Sequence, residues 1–558
     1  MKNNIIKGLG GILVAVVLLS SCAKQLDLFP QNSLTPEKVY STPDGIKGVL
    51  AKIYGSLAIG GNTGPAGSPD ISGGLDEGSQ IAFIRMFFNC EELPTDEAVC
   101  FWNDQSIKAY HGLSYSSEDP FLKGIYARLI WNVTLINEYL RETTDAKLSE
   151  RNITGTDASA IKASRAEVRF LRAFNYWAMM DIFGKSTFIT ESYGIAQDQT
   201  PPEISRAGLY AYIVSELKAI DGDLLPAKTA EYGRVDQSAD WSLLARIYLN
   251  ANVYLNSNST TYYDSAITYS TKVINAGYSL NSTTVNGYTG YGQLFMADND
   301  KRTNEIIWAI GCDGLKTQGY GNTTFLVNCS SGDDKADYFK SGTGAGWKGY
   351  VSTKAFAGIF SDPTGGTDKR AMFTTSKFGT SATQIELPVL PNASEANFGD
   401  ASSGLHVNKY RNIRSDNGEV HDVTSRTFAD IDWPVFRLSE MYLIYAEAVL
   451  RGGNGNAGTA LTYINNIRTR AYGNASGNIT SGQMTLQFIL DERARELYWE
   501  GHRRTDLIRY NLLTTSTYLW PWKGGLSSGT SVDSKYNLFP IPASARNANP
   551  NLTQNTGF

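Results

Sequence analysis

Three stretches far apart in the chain set alanines among large rings at helical spacing: RAFNYWAMMDIFG from Arg172, LLARIYLNANVYL from Leu243 and YLIYAEAVLRGG from Tyr442. Small residues let two helices approach closely while the rings fill the flanking gaps, which is how paired-helix repeats pack. Apolar residues recur around them at steps of three and four. In 120–141 the stripe is Leu122, Ile125, Tyr126, Leu129, Val133, Ile136 and Leu140; in 157–183 it is Ile161, Val168, Leu171, Phe174, Ala178 and Ile182, with Gly184 as a stop. Residues 44–57, 209–224, 239–255, 263–276, 435–451, 458–470 and 485–510 read the same way. The pattern predicts a mainly α fold, with tetratricopeptide-like helical hairpins forming a superhelical scaffold over about 118–276 and 435–511. The strict repeat signature is absent, so generic amphipathic helices account for the stripes as well.

Between the helical blocks the composition changes. Residues 59–77 are glycine-rich, with Pro65 and Pro69, and 79–105 carry rings without a clean period. Residues 278–428 are rich in Gly, Ser, Thr and Asn, with a short apolar run at Glu305 and one helix expected near 353–360. A loop-rich insertion with small β elements is expected over about 59–117 and 278–430, and loops on a rigid scaffold are where binding residues concentrate. The chain holds 31 Tyr, 23 Phe and 10 Trp, more rings than an ordinary core uses, so some are available as binding platforms.

The head reads as a signal peptide over 1–21: Lys2 and Lys7, an apolar run from Leu9 to Leu19, then Ser20, Ser21 and Cys22. The run is about half the roughly 20 residues a membrane span needs. Leu19-Ser20-Ser21-Cys22 resembles the lipobox of bacterial lipoproteins, which implies cleavage before Cys22 and lipidation of its thiol. Residues 22–43 then form a tether interrupted by Pro30, Pro36 and Pro43, and 44–558 form one body. A net charge of −5 without a dense Lys/Arg run argues against nucleic acid as a partner. Cys90 with Cys100 and Cys312 with Cys329 are spaced to close short loops, and whether they are disulfides is left open. His111, His406, His421 and His502 lie too far apart in sequence to point to a metal site. Asp298 and Asp300 cluster in MADNDKRTNE; Asp300 with Asp430 and Asp432 are candidates for a structural Ca²⁺, though no cofactor is required.

AEVRFLRAFNYWAMMDIFGKSTF from Ala166, WPVFRLSEMYLIYAEA from Trp433, DERARELYWEGHRRTDLIRY from Asp491 and PIPASARNANPNLTQNTGF from Pro540 together resemble the SusD/RagB family of outer-membrane lipoproteins. The resemblance runs from the lipobox to the last residue. It implies a helical body of tetratricopeptide-like units, a ligand site in the loop-rich part, no enzymatic activity, and a place on the outer membrane facing the outside as the lid of a SusC-type TonB-dependent transporter. GSPDISGGLDEG from Gly67, FFNCEELPTDE from Phe87, DGLKTQGYGNTTFLV from Asp313 and YLWPWKGG from Tyr518 are closest to the starch-binding founding member of that family.

By that resemblance an arc of rings for an α-glucan falls on Trp102, Tyr320 and Trp347, the acid on Asp76, the guanidinium on Arg85 and the amide on Gln105, where the founding pattern has asparagine. The chemistry agrees: a ring covers the apolar C–H face of a pyranose, while Asp76, Arg85 and Gln105 hydrogen-bond its hydroxyl rim. The expected function is capture of starch or maltooligosaccharides. A different glycan is the alternative. A glycoside hydrolase would need a carboxylate pair, and Glu496 with Glu500 reads better as a polar helix face; a protein-binding scaffold would leave the loop rings idle.

Overall fold

The computed structural model describes residues 36–558 apart from 62–63, 66–68, 72–80, 103, 194–199, 332–340, 345, 348 and 375–404. The signal peptide, Cys22 and Asp76 therefore lie outside the described residues.

The helical stripes become helices α1 (Pro43–Gly55), α3 (Pro120–Glu142), α4 (Gly155–Ile182), α5 (Arg206–Ile220), α6 (Gln237–Leu249) and α7 (Thr261–Ile274), while α2 (Phe83–Glu92), buried on every side, forms in a stretch expected as loop-rich. Within the insertion lies α8 (Thr323–Asn328), and after it come α9 (Leu438–Leu450), α10 (Ala457–Tyr472), α11 (Leu486–Leu497) and α12 (Arg503–Arg509). Caps set their starts. Asp119 accepts from Phe121 and Leu122 N–H ahead of Pro120, and Thr485 accepts from Phe488 N–H. α3 packs on α4, α4 on α5, α6 on α7, α7 on α9 and α9 on α10, so the two blocks form one continuous array across the insertion. At the last of these contacts Leu443, Tyr445, Ile464, Ile467, Ile489 and Leu497 share a small core of their own. Among the described residues no helix is long and apolar enough to cross a membrane.

Sheets are small and antiparallel: β1 (Val99–Cys100), β2 (Ile306–Ile310), β3 (Tyr350–Val351), β4 (Phe373–Thr374), β5 (His406–Val407) and β6 (Trp433–Arg437) pair as β1 with β3, β2 with β6 and β4 with β5. The β2–β6 ribbon enters the helical body, where the Trp308 ring lies 5.5 Å from Phe170, 5.2 Å from Phe174 and 6.0 Å from Phe436. Residues 435–437, expected as the start of a helix, thus belong to a buried strand, 433–437. β-branched Val435 suits it, Pro434 is tolerated because a two-stranded ribbon has only edge strands, and Leu438 begins the helix.

Two further expectations change. The stripe over 485–510 is two helices, not one. Trp499 takes φ 62° and Gly501 φ 80°, and the break is held from outside: Glu97 accepts from Trp499 N–H and Glu92 from Gly501 N–H. Glu496 and Glu500 are no solvent-facing polar face. Both are buried in an ionic cluster in which Arg437 pairs with Glu305, Glu496 and Glu500, Arg370 with Asp368, Glu492 and Glu496, Arg470 with Glu305 and Glu496, and Lys409 with Glu500. Glu500 does not pair with Arg504, which turns to Glu91 and Asp181. Cys90, Cys100, Cys312 and Cys329 are all buried free thiols, so neither cysteine pair is a disulfide here.

Candidate functional site

Trp102 stands two residues past the end of β1, and the register Val99–Val351, Cys100–Tyr350 carries the pairing to Gly349, whose carbonyl accepts from Phe101 N–H at 2.7 Å. The segment before β3 brings in Trp347, whose N–H donates to Asn328 O at the C-terminal end of α8. One ribbon end and one helix end therefore place two tryptophans side by side. Their ring centroids are 6.2 Å apart, and the Trp102 indole N–H donates to the Trp347 carbonyl at 3.1 Å. Tyr320, in the turn before α8, stands 6.0 Å from Trp347 on its other side. All three residues are half-buried.

Support comes from behind. Tyr350 packs edge-on to Trp102 at 5.2 Å, Phe325 of α8 lies 6.5 Å from Trp347 and Phe428 lies 5.4 Å from Tyr320. The approach of Trp102 to the 349 backbone is so close that a Cβ at Gly349 would lie 2.0 Å from the indole Cε2.

Arg85, on α2, lies beneath these rings rather than beside them. It is 4% exposed, with its guanidinium 5.7 Å from the Trp102 ring centre and 5.0 Å from that of Phe325. Its backbone N–H donates to Gly321 O, which ties α2 to the Tyr320 turn. An Arg85 Nη is 3.9 Å from an Asp104 carboxylate oxygen, while its Nε has no hydrogen-bond partner among the described residues. Asp104 and Gln105 are exposed on the turn after Trp102. So Trp102, Tyr320, Trp347 and Arg85 converge, Gln105 stands on the adjoining turn, and Asp76 is outside the described residues. Asp104, Phe325, Tyr350 and Gly349 escaped sequence reading. Asp104 was visible as the acid beside Gln105, whereas nothing in GAGWKGY singles out Gly349 as the glycine that touches Trp102.

Two of the candidate cation carboxylates accept from backbone. Asp432 accepts from Cys312 N–H at 2.7 Å; Asp430 accepts from Gly314 N–H at 2.7 Å and His421 N–H at 2.6 Å. They thereby fix residues 312–314, from which the Tyr320 turn springs. Burial, with Asp300 and Asp430 adding smaller like-charge contributions, pushes the Asp432 carboxyl up to about 7. Asp300 is exposed. Among the described residues the groups whose ligand atoms come within 4.8 Å of one another are Asp313, His421 and Asp430.

A shallow arc of rings with polar groups at its edge suits an extended polar ligand with apolar faces better than a small apolar one. Comparison with known proteins agrees in kind. The SusD family profile matches residues 304–558. The chain is 37% identical to the starch-binding protein SusD of Bacteroides thetaiotaomicron, over 100% of both chains. This chain belongs to the SusD family. It is also 23% identical to SusD-like protein P25 of Formosa agariphila over 97% of each. Its fold matches the crystal structure of a SusD superfamily protein from Parabacteroides distasonis with a TM-score of 0.67 at 21% identity, covering 94% of this chain and 100% of that one. Surface glycan-binding protein A from Bacteroides fluxus matches with a TM-score of 0.66 at 18% identity, covering 93% and 100%.

Proposed function

We propose that this SusD-family chain captures starch or maltooligosaccharides at the cell surface and passes them to a SusC-type TonB-dependent transporter. The observation that carries the reading is the convergence of Trp102, Tyr320 and Trp347, half-exposed and braced from behind, at one end of the β1–β3 ribbon. The full-length identity to a protein named for starch binding supports the same ligand class. In this reading the rings cover successive pyranose faces, and Gln105 with Asp104, and Asp76 if it comes to the same edge, bind hydroxyls. Arg85 lies against Trp102 from below and supports the arc.

The activity is binding, not catalysis. Glu496 and Glu500, the carboxylates a hydrolase reading would invoke, are committed to buried arginines, and Arg470, Arg437 and Arg370 outweigh burial to hold Glu496 well below the usual carboxylate range. A group so held has no proton to give at neutral pH.

Lipidation of Cys22, exposure to the medium and a Ca²⁺ bridging Asp300, Asp430 and Asp432 complete the proposal. Protease treatment of intact cells tests the exposure, and metal analysis of protein dialysed without chelator tests the cation. The central test is titration of the soluble chain, with Cys22→Ala, with amylopectin and a cyclic maltooligosaccharide. Binding that Trp347→Ala weakens is the expected result. If neither glucan binds, a screen of other glycans decides for another ligand of the same arc.

A further inference from the structure

Apart from the ring arc, the insertion carries a cavity of about 270 Å³, walled by the turn at 287–289, the turn at 364–369 and β4, with Asn408 and Arg411 from the segment after β5. None of the arc rings lines it, and no Asp or Glu does. Tyr288, Met372, Thr374, Asn408 and Arg411 are half-buried there and Lys369 is exposed, so water reaches part of each of them.

Two cations stand on that wall without a countercharge among the described residues. Arg411 is fixed through its backbone, whose N–H donates to Phe295 O at 3.0 Å, and its Nε donates to Asn408 O at 2.9 Å. The titratable groups that act on it are the Tyr288 and Tyr498 phenols, with no acid among them, and burial lowers it below the usual arginine value. Other arginines of this part of the molecule are paired, Arg414 with Asp416, Arg370 with Asp368 and Arg437 with Glu500. Lys369 Nζ donates to Gly365 O at 3.0 Å and Gly366 O at 2.6 Å, which occupies two of its donors and none of its charge. Asp362, in the same turn, accepts from Thr364 and Thr367 N–H instead.

We infer that this cavity binds a sugar acid of monosaccharide size, its carboxylate received by Arg411 and Lys369 and its hydroxyls by Tyr288, Thr374 and Asn408. The planar fork of an arginine matches a carboxylate with two parallel hydrogen bonds, and a partly desolvated cation without a partner gains most from such an anion. The volume lies just under the range of about 300–1,000 Å³ usual for ligand sites, which limits the occupant to about one ring. Hydroxyls and an amide, each able to donate and accept, suit the rim of a pyranose, and the Met372 side chain supplies apolar surface beside them. The cavity shares no residue with the ring arc, so the two sites are expected to load independently.

Calorimetric titration of the soluble chain, with Cys22→Ala, against glucuronate, glucose and inorganic phosphate tests the site. Glucuronate is expected to bind at least about tenfold more tightly than glucose, which lacks the charge, and than phosphate, which lacks the ring. Arg411→Gln is expected to weaken glucuronate binding at least about tenfold, with far-UV circular dichroism unchanged. Lys369→Gln, a change at an exposed residue, is expected to weaken it about threefold. Equal binding of glucose and glucuronate would overturn the inference, and so would glucuronate binding that survives both substitutions. Phosphate bound as tightly as glucuronate would overturn the sugar in favour of charge alone. The comparison of ligands on the parent chain and the Lys369 arm decide even if Arg411→Gln fails to fold. Trp347→Ala is expected to leave glucuronate binding unchanged, so the result stands or falls apart from starch binding.

Discussion

The helical scaffold and the ring arc are built on opposite principles. In the scaffold, side chains are stabilised by leaving water: α4 alone buries Phe170, Leu171, Phe174, Tyr176, Trp177 and Met180. In the arc, the rings are held half out of water by backbone. Trp347 hangs from Asn328 O, Trp102 from Trp347 O, and Tyr320 from a turn fixed through Gly321, Asp430 and Asp432. What joins the two is the buried ionic cluster, with Asp368, Arg370 and Lys409 from the insertion, Glu305 just before β2 and Arg437 at the end of β6, Arg470, Glu492 and Glu496 from α10 and α11, and Glu500 from the break after α11. The scaffold can vary its surface freely, but it cannot lose a member of that junction without leaving a charge stranded.

The largest effect should therefore come from the junction, away from any ligand. Glu496→Gln leaves Arg470 and Arg437 short of a countercharge in a fully buried place, and a destabilisation of about 3–5 kcal/mol is expected in urea unfolding. The same cluster sets the acid limit. Glu492 is lowered to about 2 by Arg370, Arg495 and Arg468 against the opposing effect of burial, and Glu496 is lowered further still. Because these folded-state values lie below the unfolded value near 4.3, their contribution is present at neutral pH and is lost as pH falls from about 4.5 to about 2. Glu92 runs the other way. Burial raises it to about 7, so its share is present below about pH 4.5 and is lost as pH rises to about 7. A stability profile flat down to pH 2 would mean that the junction is not ionic in solution.

Next comes the arc. Trp347→Ala removes the central ring, flanked on both sides, and about 30-fold weaker α-glucan binding is expected, with the helical circular dichroism unchanged. Unfolding of this variant would erase the contrast between the regions, since it would make Trp347 a core residue. Gly349→Ala should act more weakly, by about three- to tenfold, because it leaves all three rings in place and only drives Trp102 off the 349 backbone. Loss of binding without loss of fold would separate ring position from ring presence.

The two regions also differ in how far a reader of the chain can see them. Periodicity reports burial on one face, so α3 and α4 were legible to within two residues at each end, because their stripes are also their cores. It failed where burial goes all round. α2, with all ten residues buried, has no polar face to mark its period, and at 433–437 a fully buried strand continues into a buried helix without a change of pattern. It failed again at Trp499, because that break is set by Glu92 and Glu97, about 400 positions away in the chain. The arc has no period at all. Its rings came from family resemblance, and the depth of Arg85 beneath them depends on long-range packing between α2 and α8 that no local pattern encodes.

The smallest expected effect falls on Gln105, and it bears on whether the arc has a polar edge. The side chain is exposed on the turn after Trp102, so in the free protein water already satisfies its amide. A hydrogen bond to a sugar hydroxyl would replace a bond to water, and the net gain of such an exchange is about 0.5–1.5 kcal/mol. Gln105→Ala is accordingly expected to weaken glucan binding about two- to tenfold, and Gln105→Asn, which keeps both donor and acceptor on a shorter arm, to fall between the two. Calorimetry on the three proteins orders them. If Asn and Ala bind alike and both match the parent, the amide stays in water when the glucan is bound, and the edge belongs to Asp104 alone.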